Sequence, residues 1–473
     1  MHLAIIGGSD AGIAAALRAR ELDPMCDVTV AVADEYPNFS ICGIPYYVSG
    51  EVPKWQNLAH RTIPDLESSG MTLRLNTTAV QIDATGHKVG LVGPGGQSEL
   101  TAYDSLIVCT GAVPIRPPID GLSGPGALGV SDGVHLLHSM GDTFELMRTL
   151  ESGPRSAVIV GGGYIGLEMA EGLNNRGVEV VQMEQLPEVL PTVDPELGLI
   201  VHRELERHGV DVLCNATVQS ISRASTSSSG RIRVDAVGPE GELTRFADLV
   251  LVVVGVRPDT AVAETAGVAL GAKNAIAVDR QMRTSVPDVF AAGDCAVTYH
   301  RLLGETFMPL GTTAHKQGRV AAENALGSEH RFAGSLGTQV VKVFDVVAAR
   351  TGIRDREAAV AGFEPVTVAA EADDHKAYYP GSERIAMRYT GDRTSGRLLG
   401  LQLVGRLNSE IAKRIDIAAT AMFHSMTIAG MSDLDLSYSP PLGSPWDAIQ
   451  VGAQVWERER ERAHEPRDAA SAN

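Results

Sequence analysis

Short apolar runs closed by glycine turns and followed by helix-period stretches organise most of the chain. HLAIIGGSDAGIAAALRAREL opens with such a run, turns at Gly7, Gly8 and Gly12, and continues as a helix with Ile13 and Leu17 four positions apart on one face. SAVIVGGGYIGLEMAEGLNNRG, from Ser156, repeats the design with Gly161, Gly163 and Gly166. Each copy runs on to a second strand, VTVAVADE in the first and VEVVQMEQ in the second. YDSLIVCTGAVPIRPP (103–118) and FADLVLVVVGVRPD (246–259) each predict a buried strand followed by a Gly/Pro turn, and VPDVFAAGDCA (287–297) predicts a strand ending on Asp294. ASTSSSG (224–230) predicts a hairpin tip. From Gly334 onward, alternating apolar strands and the helix-like NSEIAKRIDIAATAMFHSM predict a separate C-terminal domain, and WERERERAHEPRDAASAN predicts a frayed charged end with no function.

Glycine is needed at such turns because the backbone must bend tightly and let a pyrophosphate approach the N–H groups at the positive end of a helix. Two copies between strand and helix predict an α/β protein with two interleaved, Rossmann-like dinucleotide-binding domains. In the second copy Glu184 ends the second strand, where a carboxylate grips a ribose 2′-hydroxyl and repels a 2′-phosphate, so NADH is expected rather than NADPH. The first copy departs from the pattern. Val32 stands where the acid is usual, leaving Asp34, with Glu35, for that role, and Ser9 replaces the second glycine of the fingerprint.

A length of 473 residues calls for two to four domains, and the net charge of −18 excludes nucleic acid or an anionic membrane as the main partner. The apolar run ADLVLVVVGV is too short to span a bilayer and the N-terminus carries no basic leader, so a cytoplasmic protein is expected. The cysteines at 26, 42, 109, 214 and 295 show no metal-ligand or redox-pair spacing, and no metal centre or disulfide framework is expected. Cys26, Cys109 and Cys214, in or beside strand-like runs, are expected to be inert buried side chains. Cys42, in NFSICGIPYYVSG, is the exception.

IIGGSDAG, the TG of VCTGAVP, GGGYIGLE, VGVRPD, AAGDCA and HKQGR resemble the pyridine nucleotide-disulfide oxidoreductases. NFSICGIPYYVSG, AYYPGS and DLSYSPPLGSPWD resemble their single-cysteine branch, which includes coenzyme A-disulfide reductases, NADH oxidases and NADH peroxidases. The resemblance implies an FAD-binding domain in two parts (1–150 and 271–330), an inserted NAD(P)H-binding domain (151–270), an α+β dimerisation domain (334–455) that makes a homodimer, and a charged tail (456–473). It places FAD on Gly7, Gly8, Ser9 and Gly12, with Thr110, Gly111 and Gly255 as further cofactor contacts and Asp294 on a ribityl hydroxyl. Gly161, Gly163, Gly166 and Glu184 hold NADH, Tyr164 covers the flavin until nicotinamide displaces it, and Glu168 is the acid behind that site.

The dithiol branch would need a second cysteine at position 47, where this chain has Tyr47. A lone thiol cannot close an internal disulfide, so its oxidised form is a mixed disulfide with a small thiol or a sulfenic acid. If Cys42 begins a helix, as the resemblance suggests, the helix dipole lowers its pKa. Tyr378, Tyr379 and Tyr438 match family tyrosines that approach the cysteine from the partner subunit and could protonate a departing thiolate. Three positions depart from family patterns: Glu21 where coenzyme A-specific relatives carry a base, Ile41 where they carry Asn, and Asp10 where peroxidases carry His. Asp10 is expected to be an exposed helix-start carboxylate. The expected function is FAD-dependent reduction by NADH of a low-molecular-weight disulfide, persulfide or polysulfide through Cys42. The alternatives are an NADH oxidase or peroxidase cycling through a sulfenic acid, and an electron-transfer or NADH-sensing flavoprotein acting through a protein partner.

Overall fold

Both glycine-turn units fold around the apolar runs marked above. In the computed structural model, which describes residues 1–224 and 231–462, strand His2–Ile6 is the middle of a five-stranded parallel sheet in the order 289–291, 105–108, 2–6, 27–31, 71–74. Strand Ser156–Val160 holds the same place in a second parallel sheet, ordered 134–136, 249–252, 156–160, 179–183, 211–213. The flanking runs SLIV and LVLV are buried throughout, as strands covered on both faces require, with helices on one face and an antiparallel meander on the other. Each unit also carries a three-stranded antiparallel meander, 78–83 with 88–92 and 98–102 in the first, 217–223 with 232–238 and 241–247 in the second. The duplication therefore reaches beyond the glycine motifs. The expected hairpin at 224–230 has its flanking strands paired, Arg223 opposite Ile232, while 225–230 lie outside the described residues.

The domain limits differ from those expected. Strand Val134–Leu136 pairs with Leu249–Val252, so the chain enters the second unit well before residue 151. It leaves before residue 270, because Val262, Ala263 and Val268 already pack with Ile82 and Leu91 in the core of the first unit. Between these points Ala112–Pro114 and Val256–Pro258 pair antiparallel, a two-stranded ribbon in which the chain crosses between units in both directions. Such boundaries rest on strand pairing distant in sequence, which turn residues alone do not reveal.

The C-terminal domain is an antiparallel sheet ordered 339–343, 346–352, 398–406, 384–392, 365–373, covered by helices Ile411–Phe423 and Ala448–Arg462. Here the expected tail is corrected. Trp456 is fully buried, its Nε1 donates to Val366 O at 2.8 Å, and the helix continues through Arg462. Gly391 makes room for the indole: a Cβ there would stand 2.4 Å from the Trp456 ring. Residues 463–473 lie outside the described residues. Among the described residues no helix is long and apolar enough to cross a membrane.

Candidate active site

In the first turn Gly7 has φ 109°, and a Cβ on it would fall 2.0 Å from Cys109 O; one on Gly12 would fall 1.9 Å from Gly7 O. Only glycine permits this path. Ser9 caps helix Asp10–Leu22 without a side-chain bond, so the first-turn N–H groups remain for an anion. Asn38 closes the cradle: its backbone, at φ 61°, donates to Gly8 O at 2.8 Å, and its buried Oδ1 has no partner. An orphaned buried acceptor beside a stripped glycine turn fits a bound dinucleotide. Val32 packs against the Cα of Gly8, where a Cβ would meet its methyl at 2.6 Å. Asp34 and Glu35 are held locally: Asp34 Oδ1 accepts from Tyr36 N at 2.9 Å, and Glu35 accepts from the Tyr36 hydroxyl at 2.6 Å.

Thr110 and Gly111 begin the ribbon, the Thr110 hydroxyl donating to Asp259 O at 2.5 Å, and Gly255 opens its return strand at φ 105°. Asp294 follows Gly293, whose N–H is held by Gln317 Oε1 at 2.9 Å while Gln317 Nε2 donates to Val297 O at 3.1 Å. Gln317, fully buried, is a positioning residue that the sequence marks only through HKQGR, with no mechanism attached. Burial and then the charge of Asp10 push the Asp294 carboxyl up to about 6. Asp10, expected to be exposed, is instead half-buried, 3.4 Å from His315 Nε2, because helix Gly311–Ala325 packs across the start of its own helix. Its charge reaches both Asp294 and Cys42.

In the second turn Gly161 has φ 118°, and a Cβ on Gly166 would fall 2.1 Å from Gly161 O; Gly163 faces open space. Glu184 is buried, Oε2 accepting from Gly162 N at 2.6 Å and Oε1 from Leu186 N at 2.8 Å, so the carboxylate clamps the turn to the loop after its strand. The Tyr164 hydroxyl accepts from Thr192 at 3.2 Å, and Thr192 O accepts from Arg350 of the C-terminal sheet at 2.9 Å.

Cys42 lies in the short turn Ile41–Gly43, directly before helix Ile44–Ser49. Solvent reaches the thiol, although protein crowds it on most sides. That crowding first, then the charges of Glu168, Asp10 and Asp294, push its pKa upward. The expected lowering is therefore not supplied by the protein alone: a six-residue helix carries a weak dipole, and three carboxylates oppose it. Glu168 is brought to Cys42 by helix packing. Helix Tyr164–Asn175 touches helix Ile44–Ser49 at Gly172, where a Cβ would stand 3.3 Å from Pro45 O, and Arg176 Nε donates to Val48 O. The Tyr46 hydroxyl donates to Glu168 Oε1 at 3.2 Å. Burial pushes Glu168 up to about 7, against the lowering effects of Tyr46 and Lys342. Tyr46 went unmarked in the sequence because its role depends on that interhelix contact. Tyr36, Phe39, Trp55 and Phe144 pin the Cys42 loop with edge-on ring contacts, that of Tyr36 on Phe144 at 5.2 Å.

Tyr378, Tyr379 and Tyr438 are exposed on the C-terminal domain and make no hydrogen bond to Cys42 within one chain. Desolvation and then the Tyr378 hydroxyl raise the pKa of Tyr438, so these two phenols are neighbours. Cys26 and Cys109 are buried as expected. Cys214 is not: it is half-buried beside Glu188 and His202, and burial, followed by the charge of Glu188 and then that of Glu184, pushes it up to about 12.

A duplicated dinucleotide-binding fold with one accessible cysteine at the junction of its units defines a two-nucleotide redox enzyme. Residues 1–318 match the pyridine nucleotide-disulphide oxidoreductase family and residues 338–448 match its dimerisation domain; the chain belongs to that family, which implies FAD, a nicotinamide dinucleotide and a homodimer. It is 34% identical over 454 residues to an NAD(P)H sulfur oxidoreductase (CoA-dependent) of Pyrococcus furiosus, covering 95% of this chain and 98% of that protein. It is 31% identical over 458 residues to an NADH oxidase of Methanocaldococcus jannaschii, covering 96% and 98% respectively. The solved NAD-dependent persulfide reductase from A. fulgidus superposes with a TM-score of 0.90 at 35% identity, over 98% of this chain and 84% of that one.

Proposed function

We propose that this oxidoreductase uses NADH to reduce a low-molecular-weight persulfide, polysulfide or disulfide through Cys42, in a reducing cytoplasm to which its five free cysteines are suited. The observation that carries the reading is a single solvent-accessible thiol at the contact between the two nucleotide units, next to the Tyr46–Glu168 pair. FAD, held by the first glycine turn, Asn38 and Asp294, would accept hydride from the nicotinamide and supply an electron pair to the sulfur.

The Cys42 thiolate attacks one sulfur of RS–SR, forming the mixed disulfide of Cys42 with SR and releasing the other half as RS⁻; with a persulfide RS–SH, attack on the sulfur bearing R gives the same mixed disulfide and releases HS⁻. Two electrons then cleave the mixed disulfide, restoring the thiolate and releasing the second RS⁻. Each departing thiolate needs a proton. Glu168, titrating at about 7 and bonded to Tyr46, can hold one near the sulfur, and Tyr378 and Tyr438 would present phenols to it across the dimer. Burial first, then the charges of Glu168, Asp10 and Asp294, disfavour an unpaired thiolate, so a flavin held here would supply the stabilisation that the protein alone does not. The buried Glu184 carboxylate supports NADH, since a 2′-phosphate would meet like charge. Glu21 neutralises Arg18 at 2.9 Å and approaches Arg319 at 3.7 Å, which weakens that patch for coenzyme A phosphates and favours small persulfides and polysulfides.

The Methanocaldococcus relative supports a second reading, NADH oxidation through a sulfenic acid at Cys42. Stopped-flow mixing of NADH-reduced protein separates the two. Rapid re-oxidation by polysulfide and slow re-oxidation by oxygen or peroxide is expected; the reverse ranking would establish the oxidase.

A further inference from the structure

Glu188, His202 and Cys214 converge behind the second glycine turn and take no part in the chemistry above. Glu188 Oε1 lies 2.8 Å from His202 Nδ1 and 3.6 Å from Cys214 Sγ, and Sγ lies 3.9 Å from the same ring nitrogen. An ion bound at about 2.0–2.3 Å to tetrahedral N, O and S donors sets those donors about 3.3–3.6 Å apart, so small side-chain adjustments would close this triangle on a cation. The far ring nitrogen of His202 faces Glu206 Oε1 at 3.5 Å, the outer carboxylate that orients a metal-bound imidazole. Among the described residues no Lys or Arg pairs with Glu184, Glu188 or Glu206, which leaves the cluster short of positive charge. The Glu188 and His202 side chains are only 11% and 16% exposed.

We propose that Glu188, His202 and Cys214 form a binding site for a borderline-soft divalent cation of the zinc type, with a fourth position open. The ion displaces the Cys214 thiol proton to solvent, and the thiolate it leaves, together with imidazole, selects such an ion over magnesium or calcium. Its place gives it a consequence. Glu188 belongs to the loop whose Leu190 N donates to Gly162 O at 2.8 Å and whose Leu186 N binds Glu184 at 2.8 Å. His202 comes from helix Pro195–Arg207, and Cys214 follows strand Asp211–Leu213. An ion ties these three segments together and stiffens the wall of the second nucleotide turn, so its occupancy tightens NADH binding.

The test is anaerobic titration of the full-length protein with Co²⁺, in a Cys42→Ser background that removes the exposed thiol. The expected result is one equivalent per chain with a thiolate-to-cobalt charge-transfer band, abolished by Cys214→Ser. Affinity falls at least about tenfold in His202→Gln and in the solvent-facing Glu206→Gln, which keeps all three ligands. Zn²⁺ lowers the NADH Kd several-fold in the background protein and not in His202→Gln. A missing band, or a band that survives Cys214→Ser, overturns the proposal. Should Cys214→Ser fail to fold, unchanged Co²⁺ affinity in both His202→Gln and Glu206→Gln does the same.

Discussion

The two glycine turns share strand, bend and helix, yet they finish the ribose side in opposite ways. In the first, Val32 packs against Gly8 and the acids after it are held by Tyr36; in the second, Glu184 is buried and clamps Gly162 and Leu186 through their N–H groups. The helices that follow differ in the same spirit: Asp10 answers to Tyr164 and Ala14 to Glu168. Backbone sterics demand the same glycines in both units, whereas the side chains around the turn differ, and the proposed FAD and NADH sites diverge there.

The largest expected effect contrasts two glycines. Gly7→Ala forces a methyl onto Cys109 O in a left-handed conformation and costs about 4 kcal/mol, giving unstable protein that purifies without flavin colour. Gly163→Ala adds a methyl to open space; its flavin content and melting temperature stay unchanged, while NADH KM rises.

Glu168 sharpens the difference between the helices. Its carboxyl is raised to about 7, so the folded state favours the proton; the stability this brings is complete below the ordinary carboxyl value and is lost as pH rises through 7. Glu168→Gln stays neutral throughout. Its apoprotein should match the parent near pH 4 and exceed it above pH 7 by up to about 3 kcal/mol, read from denaturant midpoints across pH. A smaller effect falls on the clamp. Glu184→Gln leaves one N–H poorly served and costs about 1–2 kcal/mol, raising NADH KM with flavin content unchanged; loss of flavin instead would break the division of labour between the units.

Much of this was legible in the chain because it is local. SLIV and LVLV read as buried strands, and the glycine spacings as tight strand-to-helix turns, since neighbouring residues settle both. What depends on distant packing was not. The ribbon of 112–114 with 256–258 moved both domain limits, and Trp456 looked like part of a charged tail because Gly391 and Val366, which receive it, lie far away in sequence. Cys214 looked fully buried, whereas the fold leaves it half-buried beside Glu188 and His202, and Asp10 looked exposed until helix 311–325 crossed it. At Cys42 the sequence marked a lone thiol before a short helix, and the fold leaves it exposed, but the acids whose charges reach it come from three other segments.

The central claim, electrons leaving through one sulfur, is tested most directly by intact-mass analysis of the protein quenched after reaction with a low-molecular-weight disulfide. The account predicts a single thiol adduct on the peptide bearing Cys42, reversed by NADH and absent in Cys42→Ser, which loses disulfide reduction while keeping its flavin. An unmodified Cys42, together with disulfide-dependent NADH oxidation undiminished in Cys42→Ser, would contradict it.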